Sequence, residues 1–320
     1  MIKIDFSCPA AEYEVRGIVS QKIYSLKGSL RQTTNQFTIY VRDCGWLVQT
    51  IENDGSNGFQ REVGSTNGVD IFEANLNRYF ASSTGIPVEL LDEGIDGHLW
   101  LMFASQCYWG SQQSDRLTPV FDWHASVGAY PELKVSAKWD LLNGAGSLPR
   151  EVLYLGEWGE TNGLYTATGT NSIGGILIPG GFVFEERHFG PLITNSFVHE
   201  MTLRKRVEAV VTSVHAGCSR KDLIPKIGTA GAVLIDWRLR EPSSGNHIPT
   251  YRLQTNQSWP TIDEAKQILK TKEIAEARHA AKLLSRNRTV NHPKIVFILM
   301  SIFVVAPPIF YFWGHKTRQS

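Results

Sequence analysis

The chain repeats one pattern over most of its length: short runs in which apolar and polar residues alternate, separated by turn-forming pairs. In residues 22–31 the side chains of Tyr24 and Leu26 fall on one side of an extended chain, as they do in a half-buried strand. The runs at 37–43 and 45–52 are rich in β-branched and aromatic residues, which favour strands. The pattern therefore predicts a β-rich fold.

Asparagine–glycine pairs stand beside several of these runs. Such a pair is the strongest short signal for a β-hairpin, because both central residues of a type I′ turn need positive φ. Strands joined by short turns form antiparallel sheets, and the alternation indicates that one face of the sheet is buried. The pairs are Asn57-Gly58, Asn67-Gly68, Asn143-Gly144 and Asn162-Gly163.

Strand-like runs resume at about residue 133 and continue to about residue 252. One segment among them, 199–215, is ambiguous. Glu200, Arg204 and Glu208 recur at four-residue steps, which would suit a helix. The run Val-Val-Thr-Ser-Val at 210–214 favours a strand, and we predict a strand there.

The run HLWLMFASQCYW, residues 98–109, is apolar without alternation. Leu99, Met102 and Phe103 follow helical spacing, and a helix that is apolar on most sides must be buried. We predict a helix packed against the sheet, since twelve residues is long for the alternative, a buried strand. The predicted fold class is α+β: a mainly antiparallel β half-barrel or curled sheet with a packed helical segment.

The order of these elements resembles a known fold. The stretches that carry the resemblance are FTIYVRDCGWLVQTI at 37–51, NGVDIFEAN at 67–75 and GGILIPGGF at 174–182. Antiparallel strands, a helical insertion and further strands resemble the lipoprotein-localisation-factor (LolA/LolB-like) fold of bacterial envelope proteins, a half-barrel closed by helices. The resemblance covers roughly residues 12–252. It implies binding of acyl chains, as in members of that family, which are exported by an N-terminal signal.

A long helix is predicted after the β-rich part. A capping box begins at Thr261, and neither glycine nor proline follows up to residue 288. Arg278, Lys282 and Arg286 recur at four-residue steps and form a cationic stripe. We therefore predict a basic amphipathic juxtamembrane helix over residues 261–290. The stripe is either a solvated helix face or a surface that meets phospholipid headgroups.

Residues 295–313 form an uncharged, apolar stretch of nineteen residues. A helix of that length measures about 29 Å, close to the thickness of the hydrocarbon core of a bilayer. We predict a single transmembrane helix there, followed by a short tail at 314–320; the alternative is a buried core segment. Pro307 and Pro308 predict a kink in this helix.

The charges beside this stretch predict its orientation. Within twenty positions, five basic residues precede it and two follow it. By the positive-inside rule the preceding part, including a β-rich soluble domain at 1–255, faces the cytoplasm. The N-terminus, MIKIDFSCPAAEYEVRG, lacks the apolar run of a signal peptide, which agrees with that side.

Charge is distributed unevenly along the chain. Residues 261–320 carry a net charge of +6, and the first 260 residues carry about −5. A mildly acidic body excludes a typical nucleic-acid-binding domain, which is usually basic. The basic tail suits an anionic lipid surface, so membrane lipids are the expected partners of the C-terminal helix. The four cysteines include no C-x-x-C pair, and we expect thiols in a reducing compartment.

No catalytic, metal-binding or nucleotide-binding motif rises above background, so the sequence assigns no site residue and predicts no cofactor. GAGSLP at 144–149 fails the dinucleotide fingerprint at its last position. After His199, Leu203 occupies the place of the second histidine in a zinc-protease motif. Three short clusters hold groups capable of acid–base chemistry, although most such clusters are turns or surface pairs. They are Asp96-Gly97-His98, Asp122-Trp123-His124 and Glu185-Glu186-Arg187-His188.

Together these features favour a non-enzymatic module. It would be a cytoplasm-facing half-barrel, held by a C-terminal anchor, that binds an apolar ligand or a membrane partner protein. Whether the protein is an enzyme stays open at this point. The alternative is a membrane-surface hydrolase with a site built from dispersed His and Asp/Glu residues, in which His124, His188 or His199 meets a carboxylate or a serine.

Overall fold

The computed structural model of the chain describes several stretches of residues. They are 11–24, 30–52, 59–67, 70–75, 78–82, 95–106, 136–143, 147–155, 160–189, 201–228, 232–239, 249–253 and 258–283. The chain divides into two compact units, Met1–Trp259 and Pro260–Ser320.

Fifteen strands are described in the first unit, numbered in chain order. Thirteen of them form one sheet, and β10 pairs with β11 in a separate hairpin. The strands are β1 (Glu12–Tyr24), β2 (Leu30–Arg42), β3 (Gly45–Glu52), β4 (Phe59–Ser65), β5 (Ile71–Asn75), β6 (Arg78–Ser82), β7 (Ser136–Leu141), β8 (Pro149–Leu155), β9 (Thr161–Ala167), β10 (Thr170–Ile173), β11 (Ile176–Pro179), β12 (Gly181–Phe189), β13 (Met201–Ala216), β14 (Val233–Asp236) and β15 (Thr250–Arg252).

The large sheet is curled, mostly antiparallel and not closed into a barrel. Its strand order is β15-β14-β6-β5-β4-β3-β2-β1-β13-β12-β9-β8-β7, and among these pairs only β14 with β6 is parallel. The predicted curled antiparallel sheet is therefore confirmed. Within the ambiguous segment at 199–215, residues 201–215 belong to strand β13, as predicted, and this strand joins the two halves of the sheet by pairing with β1 and β12.

Alternation along the strands separates a buried inner face from an outer face. In β1 the side chains of Tyr13, Val15 and Val19 are buried, whereas those of Arg16 and Ile18 are exposed. A side chain therefore belongs to one face or the other according to its parity along the strand.

Gly17, at the β-bulge of β1, lies on the inner face opposite Phe37 of β2. A Cβ atom at residue 17 would lie 2.5 Å from Cζ of Phe37 and 2.2 Å from the carbonyl oxygen of Val210. Because Gly17 has no side chain, the Phe37 ring can pack directly against the backbone of β1 at this position.

One sequence prediction about a turn is wrong. Asn162-Gly163 does not form a hairpin turn but lies inside strand β9. A Cβ atom at Gly163 would lie 3.1 Å from both the Phe184 and the Tyr154 rings. Glycine is needed there for the close approach of aromatic rings rather than for positive φ.

Helix α1 (Ile95–Phe103) packs on the inner face, and each of its residues is buried. A packed helix was predicted in this region, at residues 98–109. The helix instead begins at Ile95, and Asp96 stands in its first turn, where a carboxylate complements the positive end of the helix dipole. Residues 107–109 lie outside the described residues.

A segment without regular secondary structure, 217–228, crosses the outer face; we call it the strap. The Arg42 guanidinium donates to the carbonyl oxygens of Cys218, Arg220 and Lys221 at 3.1–3.3 Å. Arg220 forms a two-point ion pair with Glu62 at 2.8 and 3.0 Å. The Arg42 guanidinium thus supplies hydrogen-bond donors to carbonyl oxygens of the strap, which lie outside the strands. Together with the Arg220–Glu62 ion pair, these bonds fix the strap to β2 and β4.

The second unit is described up to residue 283. Residues 262–283 form a helix, the first part of the helix predicted at 261–290, which we call α2. The predicted capping box is present: the Thr261 amide donates to Glu264 at 2.8 Å, and the Glu264 amide donates to the Thr261 hydroxyl at 3.3 Å. Most side chains of α2 are exposed.

The apolar stretch at 295–313 and the tail at 314–320 lie outside the described residues. Within the part of the chain that the structure describes, no helix is both long enough and apolar enough to cross a bilayer.

Candidate functional site

The inner face beneath α1 is an almost continuous layer of aromatic rings. Phe103 of the helix packs against Phe37 and Phe182, with ring centroids 5.7 and 5.8 Å apart. Further along, Tyr165 stacks on Phe184 at 4.2 Å. Such rings present a large apolar surface with defined edge and face geometry. The layer continues from strand β2 across β12 to β9.

The β10–β11 hairpin is a second element that packs against this layer. Ile178 is fully buried in the same core, and Ile173, Ile176 and Leu177 pack against it while staying partly exposed. The hairpin turns through Gly174 and Gly175, both of which have positive φ. Among the described residues, the elements that pack on the inner face are therefore helix α1 and the β10–β11 hairpin.

Four polar side chains hold the N-terminal end of α1 on the sheet, and we call them the latch. They are Asp96 of the helix and Thr50, Arg61 and Glu73 of the sheet. The Thr50 hydroxyl donates to Asp96 Oδ1 at 2.7 Å, and the Arg61 guanidinium lies 3.1 Å from Asp96 Oδ2. Arg61 Nε also donates to Glu73 Oε1 at 2.8 Å. The latch therefore connects the first turn of α1 to strands β3, β4 and β5.

Burial dominates the electrostatics of the latch. It raises the pKa of Asp96, and the nearby Arg61 and Thr50 offset only part of that change. Burial and the charge of Asp96 likewise raise the pKa of Glu73 more than Arg61 lowers it. For Arg61, burial acts to lower the pKa, but the charges of Asp96 and Glu73 raise it overall. One guanidinium thus balances two carboxylates that are both costly to ionise.

A second polar group on the inner face consists of Gln21, His98, Tyr165, Glu186 and Lys205, and we call it the inner polar cluster. Glu186 of β12 lies directly opposite Lys205 of β13 in register. Gln21 of β1 lies opposite Val207, one inward-facing position along β13 from Lys205. Glu186 is 8% exposed and Lys205 is 4% exposed, so both charges are buried.

His98 joins α1 to the inner polar cluster. Its ring packs on Phe184 with centroids 4.6 Å apart, and its Nδ1 atom is hydrogen-bonded to the Tyr165 hydroxyl. Burial and then the charge of Lys205 lower the pKa of His98 well below 6.5. Burial and then the charge of Glu186 raise the pKa of Tyr165 well above 10. The pair therefore consists of a neutral imidazole and a protonated phenol.

The hydrogen bond between these rings fixes which imidazole nitrogen carries the proton. Among the described residues, the Tyr165 hydroxyl bonds only to Nδ1 of His98. If His98 donated, the phenol proton and the Nε2 lone pair would both lack partners, so Tyr165 is the donor. His98 then carries its proton on Nε2, which is buried and has no hydrogen-bond partner among the described residues.

The strap forms a surface pocket of about 720 Å³ on the outer face. Leu223, Pro225 and Ile227 supply apolar lining, and Lys221 and Lys226 stand among the polar lining residues. Trp259 also lines the pocket and donates from Nε1 to the carbonyl oxygen of Pro225 at 2.6 Å. The pocket is of the size that small ligands occupy, but its charges of both signs single out no ligand class.

The structure unites parts of two clusters that the sequence kept separate. It brings His98, from the Asp96-Gly97-His98 cluster, to the same polar group as Glu186, from the cluster at 185–188. Asp96 instead belongs to the latch. His124 and His199 lie outside the described residues, as does the side chain of His188.

Gln21, Tyr165 and Lys205 were not predicted to be site residues. Their strands predict which face each side chain occupies, but a single strand gives no information about its neighbours. The described residues hold no group of three or more His, Cys, Asp or Glu side chains placed to bind a metal ion.

The fold and this inner face define a class of protein: an open, curled antiparallel sheet with a buried helix on its concave side. No family model matches the sequence, and no curated protein matches it.

Solved structures that are similar to this chain include the following three, each at low sequence identity. A LolA superfamily protein from Nitrosomonas europaea has 8% identity and a TM-score of 0.35, covering 69% of this chain and 93% of its own. An outer-membrane lipoprotein-sorting protein domain from Vibrio parahaemolyticus has 9% identity and a TM-score of 0.36, with coverages of 66% and 88%. A DUF1329 family protein from Desulfovibrio piger has 10% identity and a TM-score of 0.32, with coverages of 69% and 90%. Likeness at this level concerns the arrangement of strands and carries no information about function.

Proposed function

We propose that the protein is a C-terminally membrane-anchored, cytoplasm-facing module that binds an apolar or amphipathic ligand on the inner face of its sheet, beneath α1. The observation that carries the proposal is the aromatic layer described above, lined by Phe37, Phe103, Phe182 and Phe184. Aromatic and aliphatic lining with a few placed polar groups is typical of small-molecule sites.

The dimensions of the sheet and the helix support this assignment. Thirteen strands at about 4.8 Å spacing span roughly 60 Å along the curved sheet. Helix α1 has nine residues and is therefore about 14 Å long. One helix of this length covers only part of such a face, and the apolar side chains beside it are buried as well, so a ligand that enters beneath α1 would join a continuous apolar core.

The attachment of α1 supports a cover that can move. Polar side chains hold its two ends: the latch at Asp96, and the Tyr13 hydroxyl at the carbonyl oxygen of Phe103. Between these points His98 is hydrogen-bonded to Tyr165, and the remaining packing is mostly apolar and non-directional, so that packing re-forms with an acyl chain at little cost. A displaced helix would therefore keep defined anchor points while the layer beneath it is exchanged.

The membrane part of the proposal rests on the sequence. The apolar stretch at 295–313 has the length of a bilayer span, and the basic residues before it favour a cytoplasmic body. Protease added to spheroplasts tests this placement: the body should resist digestion until the membrane is permeabilised, and digestion from outside would contradict it.

Photo-crosslinking tests the binding of a ligand. Full-length protein in native membranes is incubated with a diazirine-bearing palmitate, irradiated and digested for mass spectrometry. We expect crosslinks in peptides that contain Phe182–Phe184 or α1, in addition to any in 295–313. Crosslinks confined to 295–313 would show that the probe reports only the anchor and would overturn inner-face binding.

A hydrolase is the second candidate, because His98 and the carboxylate of Glu186 belong to one polar cluster in which both interact with Tyr165. A histidine beside a carboxylate is a common acid–base pair. Against this, Tyr165 occupies Nδ1 and the proton sits on Nε2, so His98 has no free lone pair with which to act as a base. Incubation of the purified full-length protein with p-nitrophenyl palmitate tests it: turnover that is lost in His98→Phe would establish the hydrolase.

A further inference from the structure

We infer that the ligand presents a neutral carbonyl oxygen, as in an acyl ester or amide, to the inner polar cluster. This inference rests on the proposed function and names the chemistry of its ligand. It follows from two properties of the cluster: donors that lack acceptors, and charges that already cancel.

The cluster contains two buried donors without acceptors. Nε2 of His98 and Nε2 of Gln21 have no hydrogen-bond partner among the described residues. His98 is 1% exposed and Gln21 is 6% exposed, so bulk water does not satisfy them. Leaving a buried donor unpaired is unfavourable, and native proteins retain such groups where they serve a purpose. The missing partner is an acceptor.

The charges of the cluster decide what kind of acceptor fits. Glu186 and Lys205 stand opposite each other on neighbouring strands, and their formal charges cancel. His98 and Tyr165 are neutral. A carboxylate or phosphate entering this buried group would add an uncompensated negative charge beside Glu186, which is strongly unfavourable at low dielectric. A carbonyl oxygen accepts hydrogen bonds without bringing a charge.

The sequence of β12 then provides a path for the acyl chain. Phe184 and Phe182 follow Glu186 at two-residue steps, so all three lie on the inner face. From Glu186 to Phe182 the strand extends about 13 Å. A carbonyl at the cluster would therefore place an attached hydrocarbon chain along the aromatic layer.

Three diazirine-bearing probes of equal chain length test the inference: an alkane, a methyl ester and a free fatty acid. Each is crosslinked at increasing concentration to the full-length protein in native membranes, and the yield is measured on the peptide that contains Phe182–Phe184. We expect half-maximal crosslinking by the methyl ester at a concentration about tenfold lower than for the alkane, because one otherwise unpaired buried donor is satisfied. The free acid at pH 7 should be weaker than the ester.

Variants assign the selectivity to the cluster. Gln21→Leu removes one unpaired donor, and we expect it to reduce the preference for ester over alkane several-fold without loss of folded protein. Gln36→Leu makes the same change on the exposed outer face of the neighbouring strand and should leave the preference unchanged. A second readout does not depend on a variant: in ¹⁵N-histidine spectra the Nε2–H resonance of His98 should shift with the ester and not with the alkane.

The outcomes separate the two proposals. If no probe reaches the peptide with Phe182–Phe184, the proposed function fails and the inference fails with it. If all three probes reach it equally, or the free acid is preferred, the protein binds apolar ligands but the inference of a neutral carbonyl is overturned. A preference for the ester that Gln21→Leu leaves intact, with no shift of the His98 resonance, also overturns it.

Discussion

Tyr13 of strand β1 donates its hydroxyl proton to the main-chain carbonyl oxygen of Phe103, the last residue of α1, across 2.8 Å. The same hydroxyl lies 3.4 Å from Oε1 of Gln106. Burial raises the pKa of Tyr13, so the phenol stays protonated and keeps its role as donor. One bond therefore fixes the end of the helix that is distant from the latch.

Removing this bond should loosen the C-terminal end of α1. We expect Tyr13→Phe to lower the free energy of unfolding by about 1–2 kcal/mol, because the Phe103 carbonyl stays buried without its donor. Chemical denaturation measures the loss. Tyr24→Phe, a half-buried position at the end of the same strand, serves as the control and should change stability by less than about 0.5 kcal/mol. Equal losses in the two variants would contradict the assigned bond.

The latch predicts a larger effect at the other end of the helix. Arg61→Met should lower the free energy of unfolding by about 3 kcal/mol at pH 7, because two buried carboxylates lose their counter-charge. Arg150→Met is the matched control: Arg150 and Asp140 form an exposed pair at 3.5 Å, and such pairs contribute little. Denaturation of both variants in one buffer compares them.

The pH dependence of this variant has a definite sign. Burial raises the pKa values of Asp96 and Glu73 above their ordinary values of 3.8 and 4.5. A carboxyl whose pKa is higher in the folded state binds more protons there, so stability falls as pH rises above the ordinary value. Without Arg61 the pKa values rise further. We expect Arg61→Met to lose less stability at pH 5 than at pH 7, and an equal loss at both pH values would contradict the account.

The Phe37 ring packs closely against Gly17, whereas the space around Gly228 is open. Substitution by alanine should therefore destabilise the fold at residue 17 and not at residue 228. Gly17→Ala should destabilise the fold by about 1–3 kcal/mol, because its methyl group would meet the ring and the Val210 carbonyl. Gly228→Ala is the control, since no atom lies within 4 Å of a Cβ there and the amide that donates to Tyr79 is retained. Thermal unfolding of the two variants distinguishes them, and similar midpoints would disprove the close packing.

His98 should remain neutral through the pH range in which histidine ordinarily titrates. Its burial and the nearby Lys205 lower its pKa well below 6.5. We expect ¹⁵N-histidine spectra to show one neutral tautomer, protonated at Nε2, from pH 8 down to pH 5.5. Free histidine side chains titrate near 6.5 and provide the reference. A signal that follows the free side chain would show that His98 is accessible to water.

The predictions made from sequence succeeded where the evidence is local. Strand β3 has the predicted bounds, 45–52, because alternation and the flanking turn residues both mark them. Residues 201–215 form a strand because their β-branched residues, Val210, Val211 and Val214 among them, outweigh the helically spaced charges. A helix was predicted in the region of α1, but it begins earlier than the prediction placed it. The prediction followed the apolar run and so missed the first turn, which contains Asp96 and Gly97.

The candidate site could not be derived in the same way. Tyr165 and His98 are 67 residues apart in sequence, and their contact depends on where α1 docks. Glu186 and Lys205 meet because β12 and β13 pair in one register, and a shift by one residue would turn one of them to the outer face. The glycine at residue 163 was misinterpreted for a related reason: the rings that require it come from other strands.

The position of β13 has a consequence for synthesis of the chain. Strands β1 to β6 leave the ribosome first, yet the second side of β1 pairs with β13, which begins only at Met201. At about 5–20 residues per second, an edge of thirteen residues waits roughly 10–40 seconds for its partner. Exposed strand edges of that length recruit other chains. We therefore expect that mutations that slow elongation before residue 201 raise the aggregated fraction without altering the finished fold, because β1 stays unpaired for longer.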